Sequence, residues 1–262
     1  MTERLERVDL SGVKGMFAES ETGKRDRDED YIACGNSIDL RVAVLCDGMG
    51  GGRSGDVASE ATAREFITRI QRRRSELEDG WFDQEHRFEA MARAIGDCHG
   101  VVNSIAGARG ISGTTLTAVV STYDGDRVSL IDLVHIGDSR CYRIFRGVPE
   151  LLTNDHSVTG DMVRAEYIKI HEIEETSGKN TLTRNIGDEG SSSAEIVNLD
   201  PRDGVCFLLC CDGVWGPLHG VGGLWLPNTE FCSQETVRIM VDESIRRGST
   251  DNCSVLIADL AA

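Results

Sequence analysis

Apolar residues along this chain fall into short blocks whose period changes from two to about 3.6 and back again. Residues 12–19 and 30–35 read as strands flanking a charge-dense connection at 20–29, and 40–46 as a third strand entering a glycine-rich turn. From Asp56 the spacing Val57, Ala61, Phe66, Ile67, Ile70 predicts a helix closing on Arg72-Arg73-Arg74, where positive charge suits a helix C-terminus. Residues 71–80 then read as a turn or short linker. A second helix is expected over 83–106, with Phe88, Met91, Ala92, Ile95, Val102 and Ile105 on its apolar face. Strands follow at 114–122, 127–136 and 140–146, the first two joined by an Asp124-Gly125 hairpin signal. The mixed stretch 157–180 reads as a surface helix and loop. Strands return at 194–198 and 205–211, 214–231 reads as loop, 233–247 as helix and 253–259 as a last strand. Strand clusters interrupted by a helix pair predict an α+β fold with mainly antiparallel sheets and outer helices, rather than βαβ alternation.

Two of these strands end alike, in Val42-Ala-Val-Leu-Cys-Asp47-Gly48 and Cys206-Phe-Leu-Leu-Cys-Cys-Asp212-Gly213. An Asp at the end of a buried strand is costly unless its charge is compensated, and a shared cation would compensate both. Asp138, in Ile136-Gly-Asp-Ser-Arg140, and Asp251-Asn252, just before the last strand, occupy the same kind of position. Each alone is an ordinary turn former. Together they are a charge problem: two carboxylates about 5 Å apart repel by roughly 3 kcal/mol at an effective dielectric near 20. All-oxygen ligation points to magnesium or manganese rather than zinc or copper.

Composition narrows the field. The 262 residues suffice for one large domain, and that is the expectation. The formal charge of −16 disfavours nucleic-acid and anionic-membrane partners. Nine cysteines, an odd number, lie mostly in apolar strand-like surroundings and read as reduced core residues. There is no Cys-x-x-Cys pair and no run of about 18 apolar residues, and the charged start at Met1 lacks a leader-like core. A soluble, cytoplasmic, monomeric protein is expected. Gly50-Gly-Gly52-Arg-Ser-Gly55 satisfies the dinucleotide pattern G-x-G-x-x-G, but the flanking units do not repeat as βαβ, so a tight turn is the better reading.

Taken in order, Arg25-x-x-x-Glu29-Asp30, Asp47-Gly-Met-Gly-Gly51, Ser112-Gly-Thr-Thr115, Gly137-Asp-Ser-Arg140, Cys211-Asp-Gly213 and Asp251-Asn252 resemble the PP2C-like (PPM) metal-dependent serine/threonine phosphatases over residues 10–260. Met49 after Asp-Gly resembles the bacterial branch. The resemblance implies a four-layer α-β-β-α sandwich, two mainly antiparallel sheets flanked by helix pairs. It implies hydrolysis of phosphoserine and phosphothreonine by in-line attack of a water shared by two Mn2+ or Mg2+ ions. Asp47 would bridge both ions, Gly48 would offer its carbonyl, and Asp212 and Asp251 would complete the first. Asp138 with Asp212 would support a third, weaker ion. Glu29 and Asp30 would hold waters in the outer coordination layer, Asn252 would position a metal-bound water, Arg25 would clamp the phosphate, and Thr114 and Thr115 would be structural. The implied partners are phosphoproteins, with a Hanks-type kinase as the opposing enzyme.

The chain departs from that pattern in four places. Asp28 stands where the family usually has Asn, and Gly216 where an acidic residue is usual. The flap at 157–180 matches only at its edges, through Asp155-His-Ser157 and Asn180-x-Leu-Thr-Arg184. Leu224-Trp225-Leu226 reads as core or as a docking surface. Asp28 and the altered flap leave a second reading, a catalytically weak phosphoprotein-binding module of the same fold.

Overall fold

The structure is a computed structural model that describes residues 7–10, 12–50, 54–109, 113–179, 181–188, 193–201 and 206–260, without the side chains of 106–109. Gly51, Gly52 and Arg53 of the glycine-rich turn, Ser112 and Asn180 lie outside the described residues.

In chain order the elements are β1 (Val8–Asp9), β2 (Met16–Glu21), β3 (Asp30–Asn36), β4 (Leu40–Met49), α1 (Gly55–Leu77), α2 (Gln84–Arg109), β5 (Gly113–Thr114), β6 (Leu116–Asp124) and β7 (Arg127–Ile136). They continue with β8 (Arg140–Phe145), β9 (Val148–Leu151), α3 (Val158–Arg164), β10 (Glu195–Leu199), β11 (Cys206–Cys210), α4 (Asp212–Leu218), β12 (His219–Gly220), β13 (Gly223–Leu224), α5 (Gln234–Arg246) and β14 (Cys253–Asp259). One sheet runs β1-β3-β4-β6-β7-β10, with β5 on β4, and is antiparallel except at β1–β3. The other runs β2-β14-β11-β8-β9, antiparallel throughout, and β12 and β13 form a small ribbon.

Strand periodicity builds the layers. On β4, Val42 and Val44 join Phe66, Ile70, Met91, Ile95 and Val102 of α1 and α2 in one core. Their neighbours Ala43 and Leu45 face the other way and meet Leu208 and Leu256 of the second sheet in another. Beyond that sheet, α5 lies on β2 and β14 and α4 on α5. The result is the expected four-layer α-β-β-α sandwich.

Local differences have identifiable causes. The expected linker at 71–80 is helical, because α1 runs on to Leu77 and a 3-10 turn at Glu78–Phe82 follows, burying Trp81. Charged residues continue the helix there through Arg72–Glu76 and Arg73–Asp97 ion pairs rather than through an apolar stripe. The buried face of α1 is also displaced: Ala58, Ser59, Thr62 and Ala63 are buried, while Val57 and Ala61 are half-buried. On α2, Ala92 is exposed, and Arg87 is buried in an ion pair with Asp132. Within the expected loop 214–231 lies most of α4, which is too short for a period to show. Leu224 is buried, and Trp225 and Leu226 pack against the core.

Candidate functional site

The strand order brings the ends of both sheets together. The C-terminal ends of β4, β7 and β11 and the N-terminal end of β14 meet at one edge of the sandwich, because Cys210 pairs with Val255 on one side and Arg140 on the other. Here Arg25, Glu29, Asp47, Gly48, Asp138, Asp212, Asp251 and Asn252 line one cleft, with a cavity volume of about 180 Å3. Asp30 stands directly opposite Asp47 on β3, so nearly all the sequence-predicted site residues line this cleft and the remaining one adjoins it.

The surrounding backbone fixes the carboxylates. Asp47 N–H donates to Thr115 Oγ1 (2.9 Å), and the Asp47 carbonyl accepts from Thr115 N–H (2.8 Å) and Thr114 Oγ1 (2.9 Å). These contacts give Thr114 and Thr115 the structural role expected of them. Gly48 is hemmed in by backbone: a Cβ there would lie 2.3 Å from the Gly55 carbonyl oxygen and 2.5 Å from that of Glu29. The position therefore needs glycine for the packing of its own turn, whatever it coordinates. Asn252 holds the 22–29 loop, donating from Nδ2 to the carbonyls of Thr22 (2.9 Å) and Arg27 (2.8 Å) and accepting from Glu29 N–H (2.9 Å). That loop presents Arg25, whose Nη2 lies 2.6 Å from Asp251 Oδ2.

Charge is concentrated and poorly compensated. Burial, then Asp30 and Asp212, pushes the Asp47 carboxyl well above its ordinary range. Burial with Asp251 and Glu174 raises Asp212 to about 6. Asp138 is raised by burial and by Asp212, and no side chain of the described residues hydrogen-bonds to its carboxylate. Asp30 is the extreme case. Both its oxygens are buried without a hydrogen-bond partner in good geometry, although the Ser254 hydroxyl and Cys211 thiol lie alongside. Asp28, the departure from Asn, is absorbed by accepting from Ser20 Oγ (2.6 Å) and Asp30 N–H (3.1 Å).

Orphaned buried carboxyl oxygens facing a cluster of acids fit the divalent cations implied by the sequence. Asp30, Asp47 and Cys211 bring one ligand atom each within 4.8 Å of one another. The sulfur does not make this a zinc site. Burial pushes the Cys211 thiol far up, and its Sγ–H donates to the Asn252 carbonyl (3.3 Å). Oxygen ligands remain, which suit Mg2+ and Mn2+.

No family model matches the sequence. Protein phosphatase PhpP of Streptococcus pneumoniae is 27% identical over 243 residues, covering 90% of this chain and 93% of its own. The PPM Ser-Thr phosphatase MsPP of Mycobacterium smegmatis, solved with cacodylate, is 26% identical, with a TM-score of 0.69 over 93% of this chain and 97% of that one. The chain is thus similar in sequence and in fold to bacterial PP2C-like serine/threonine phosphatases. The catalytic domain of the serine threonine protein phosphatase PstP, solved with two manganese ions, has the same fold, at 23% identity and a TM-score of 0.65 over 93% of this chain and 96% of that one.

Several supports of the site escape sequence reasoning. Arg140 carries a bidentate pair with Asp155 (2.9 and 2.7 Å) and lies 3.5 Å from the Trp215 ring centroid. Trp215 Nε1–H in turn donates to the Asp138 carbonyl (2.9 Å). Their only sequence signal is a buried-looking Arg in Gly-Asp-Ser-Arg. Sequence reasoning also overlooks a second phosphatase signature, since Cys232-x5-Arg238 has the spacing of cysteine-dependent phosphatases. Its geometry is that of an ordinary helix start. Thr236 N–H, which a phosphate cradle would use, donates to Ser233 Oγ (3.2 Å), and Arg238 pairs with Glu19. Cys232 packs at the margin of the inter-sheet core and does not line the acidic cleft.

Proposed function

We propose that this chain is a metal-dependent protein serine/threonine phosphatase working at the acidic cleft. The convergence of Asp47, Asp138, Asp212 and Asp251 from four strand ends carries the reading. Asp47, Asp212 and Asp251, with the Gly48 carbonyl, would hold two Mn2+ or Mg2+ ions, with Asp138 and Asp212 available to a third. When bound, such ions supply charge neutralisation and a water acidified toward neutral pH. Arg25 orients the phosphoryl group: its planar fork matches phosphate oxygens, and its half-exposed position at the cleft lets substrate reach it. Asn252 fixes the loop that aims Arg25. Glu29, in the cleft, and Asp30, beside it, would accept hydrogen bonds from waters held there. Manganese in PstP and cacodylate in MsPP support this assignment, as do the protein-phosphatase names of the sequence relatives. Phosphoproteins are then the substrates, and a serine/threonine kinase the opposing activity.

The test is phosphate release from a phosphothreonine peptide. Manganese should switch it on and EDTA off, Asp47→Asn should abolish it, and Arg25→Ala should lower kcat/KM by about 10- to 100-fold while Mn2+ still binds. Cys232→Ser should leave it unchanged. Phosphopeptide binding without metal-dependent turnover would favour the binding-module reading instead.

A further inference from the structure

A second cavity, of about 300 Å3, lies beside the cleft and shares Asp212 and Asp251 with it as a common rim. Glu174 and Lys179 of the divergent flap line it together with Gly216 and Arg247. Glycine at 216 keeps the space open, since a Cβ there would already lie 2.6 Å from Glu174 Oε1. Arg247 is the fixed cation of this cavity. Its Nε donates to Glu243 Oε1 (2.7 Å) and its Nη1 to the Pro217 carbonyl (3.3 Å), and its guanidinium carbon lies 5.1 Å from the Trp225 ring centroid. Three contacts thus pin the planar group, while Nη2 has no hydrogen-bond partner among the described residues. The other cation, Lys179, is taken up by Glu174 at 2.5 Å.

We propose that this cavity is a substrate subsite for a carboxylate side chain flanking the phosphoamino acid, with Arg247 Nη2 as its anchor. The proposal rests on the phosphatase reading and adds a sequence preference to it. On that reading two divalent ions outweigh the carboxylates of Asp47, Asp212 and Asp251, so the shared rim attracts an anion. Glu174 cancels Lys179 and Glu243 offsets Arg247, so the ions set the sign at the cavity and Arg247 supplies the free donors. A guanidinium already held in place loses little freedom when it binds a carboxylate. A peptide with its phosphate in the cleft reaches the cavity across the Asp212–Asp251 rim, so the preference falls on residues next to the phosphoamino acid. It runs against the net charge of −16, so the local anchor and the field of the whole chain call for opposite signs.

The test is kcat/KM of the full chain, at saturating Mn2+ and physiological salt, for phosphothreonine peptides carrying Glu, Gln or Lys singly at each position around the phosphate. Wild type should favour Glu over Gln by about tenfold at one adjacent position, chiefly through KM. Arg247→Gln should bring that ratio to about one. Arg247→Lys should restore part of it, and Arg247→Glu should turn the preference toward the Lys peptide. A Glu preference that survives Arg247→Gln would overturn the proposal. The wild-type series is decisive by itself if an Arg247 variant folds poorly, because equal turnover of Glu and Gln peptides at every position overturns the proposal and leaves the phosphatase reading intact. No Mn2+-dependent turnover of any phosphopeptide would overturn both.

Discussion

Asp212 shows how one residue is burdened for function. Its carboxyl, ordinarily near 3.8, is raised to about 6 by burial and by Asp251 and Glu174. A carboxyl with a higher pKa folded than unfolded binds more protons in the folded state, so stability falls as pH rises through that interval. The cost is absent below about pH 4 and complete above the folded value. Asp212→Asn removes it. In EDTA the variant should therefore unfold at a higher temperature than wild type, the gap widening from pH 4 to 7 and then levelling. With saturating Mn2+ the order should reverse, because ligand binding stabilises only the protein able to bind. A gap independent of pH in thermal melts would mean that Asp212 is not the strained acid described. The sequence already marked this residue, since a carboxylate closing the apolar run Cys206-Phe-Leu-Leu-Cys-Cys requires a compensating charge nearby. Glu174 carried no such mark. It lies 38 positions from Asp212 in a stretch without period, and only the folded flap brings the two together.

Elements differ in how far their sequence announces them. β4, β6 and β7 were legible as apolar runs that face two cores, and β11 and β14 as apolar runs buried in one. The helices α1 and α2 were legible as helices but not in their contact faces, since small residues let α1 approach the sheet and a buried Arg87–Asp132 pair replaces an apolar contact on α2. α4 was invisible: seven residues with Pro217 and two glycines give no helical signal, and its helix is set by the Asp212 turn and by burial of Val214, Trp215 and Leu218. That burial ties α4 to the β7–β8 connection through Trp215 on Arg140 and on the Asp138 carbonyl. Arg140 is fully buried and Asp155 nearly so. Arg140→Met would strand the Asp155 carboxylate and loosen both Asp138 and Trp215. Chemical denaturation should show a loss of about 3–5 kcal/mol, and Mn2+ titration a weakening confined to the ion proposed for Asp138. An equal loss at every metal site would instead mean that Arg140 supports the edge of the sandwich as a whole.

At the scale of the molecule, the acids at the cleft belong to a chain with 44 acidic and 28 basic side chains and a net charge of −16. Among the described residues no helix is long and apolar enough to cross a membrane. Bound cations cancel only the charge nearest to them. The remaining field repels an incoming phosphopeptide, itself anionic, and rewards basic residues on either side of its phosphoamino acid. The field is long-ranged only at low salt, the screening length being about 8 Å at physiological ionic strength. Two phosphothreonine peptides differing by two Lys against two Glu, placed several residues from the phosphate, separate this effect from local contacts. At about 10 mM salt, where the screening length is about 30 Å, kcat/KM should favour the Lys peptide by on the order of tenfold. By about 1 M salt, where it is about 3 Å, the ratio should approach one. A ratio that ignores salt would place the discrimination in direct contacts, with Glu174, Lys179 and Arg247 beside the cleft as the first residues to substitute. A ratio that favours the Glu peptide at low salt would mean that Lys179 and Arg247 outweigh the field of the whole chain.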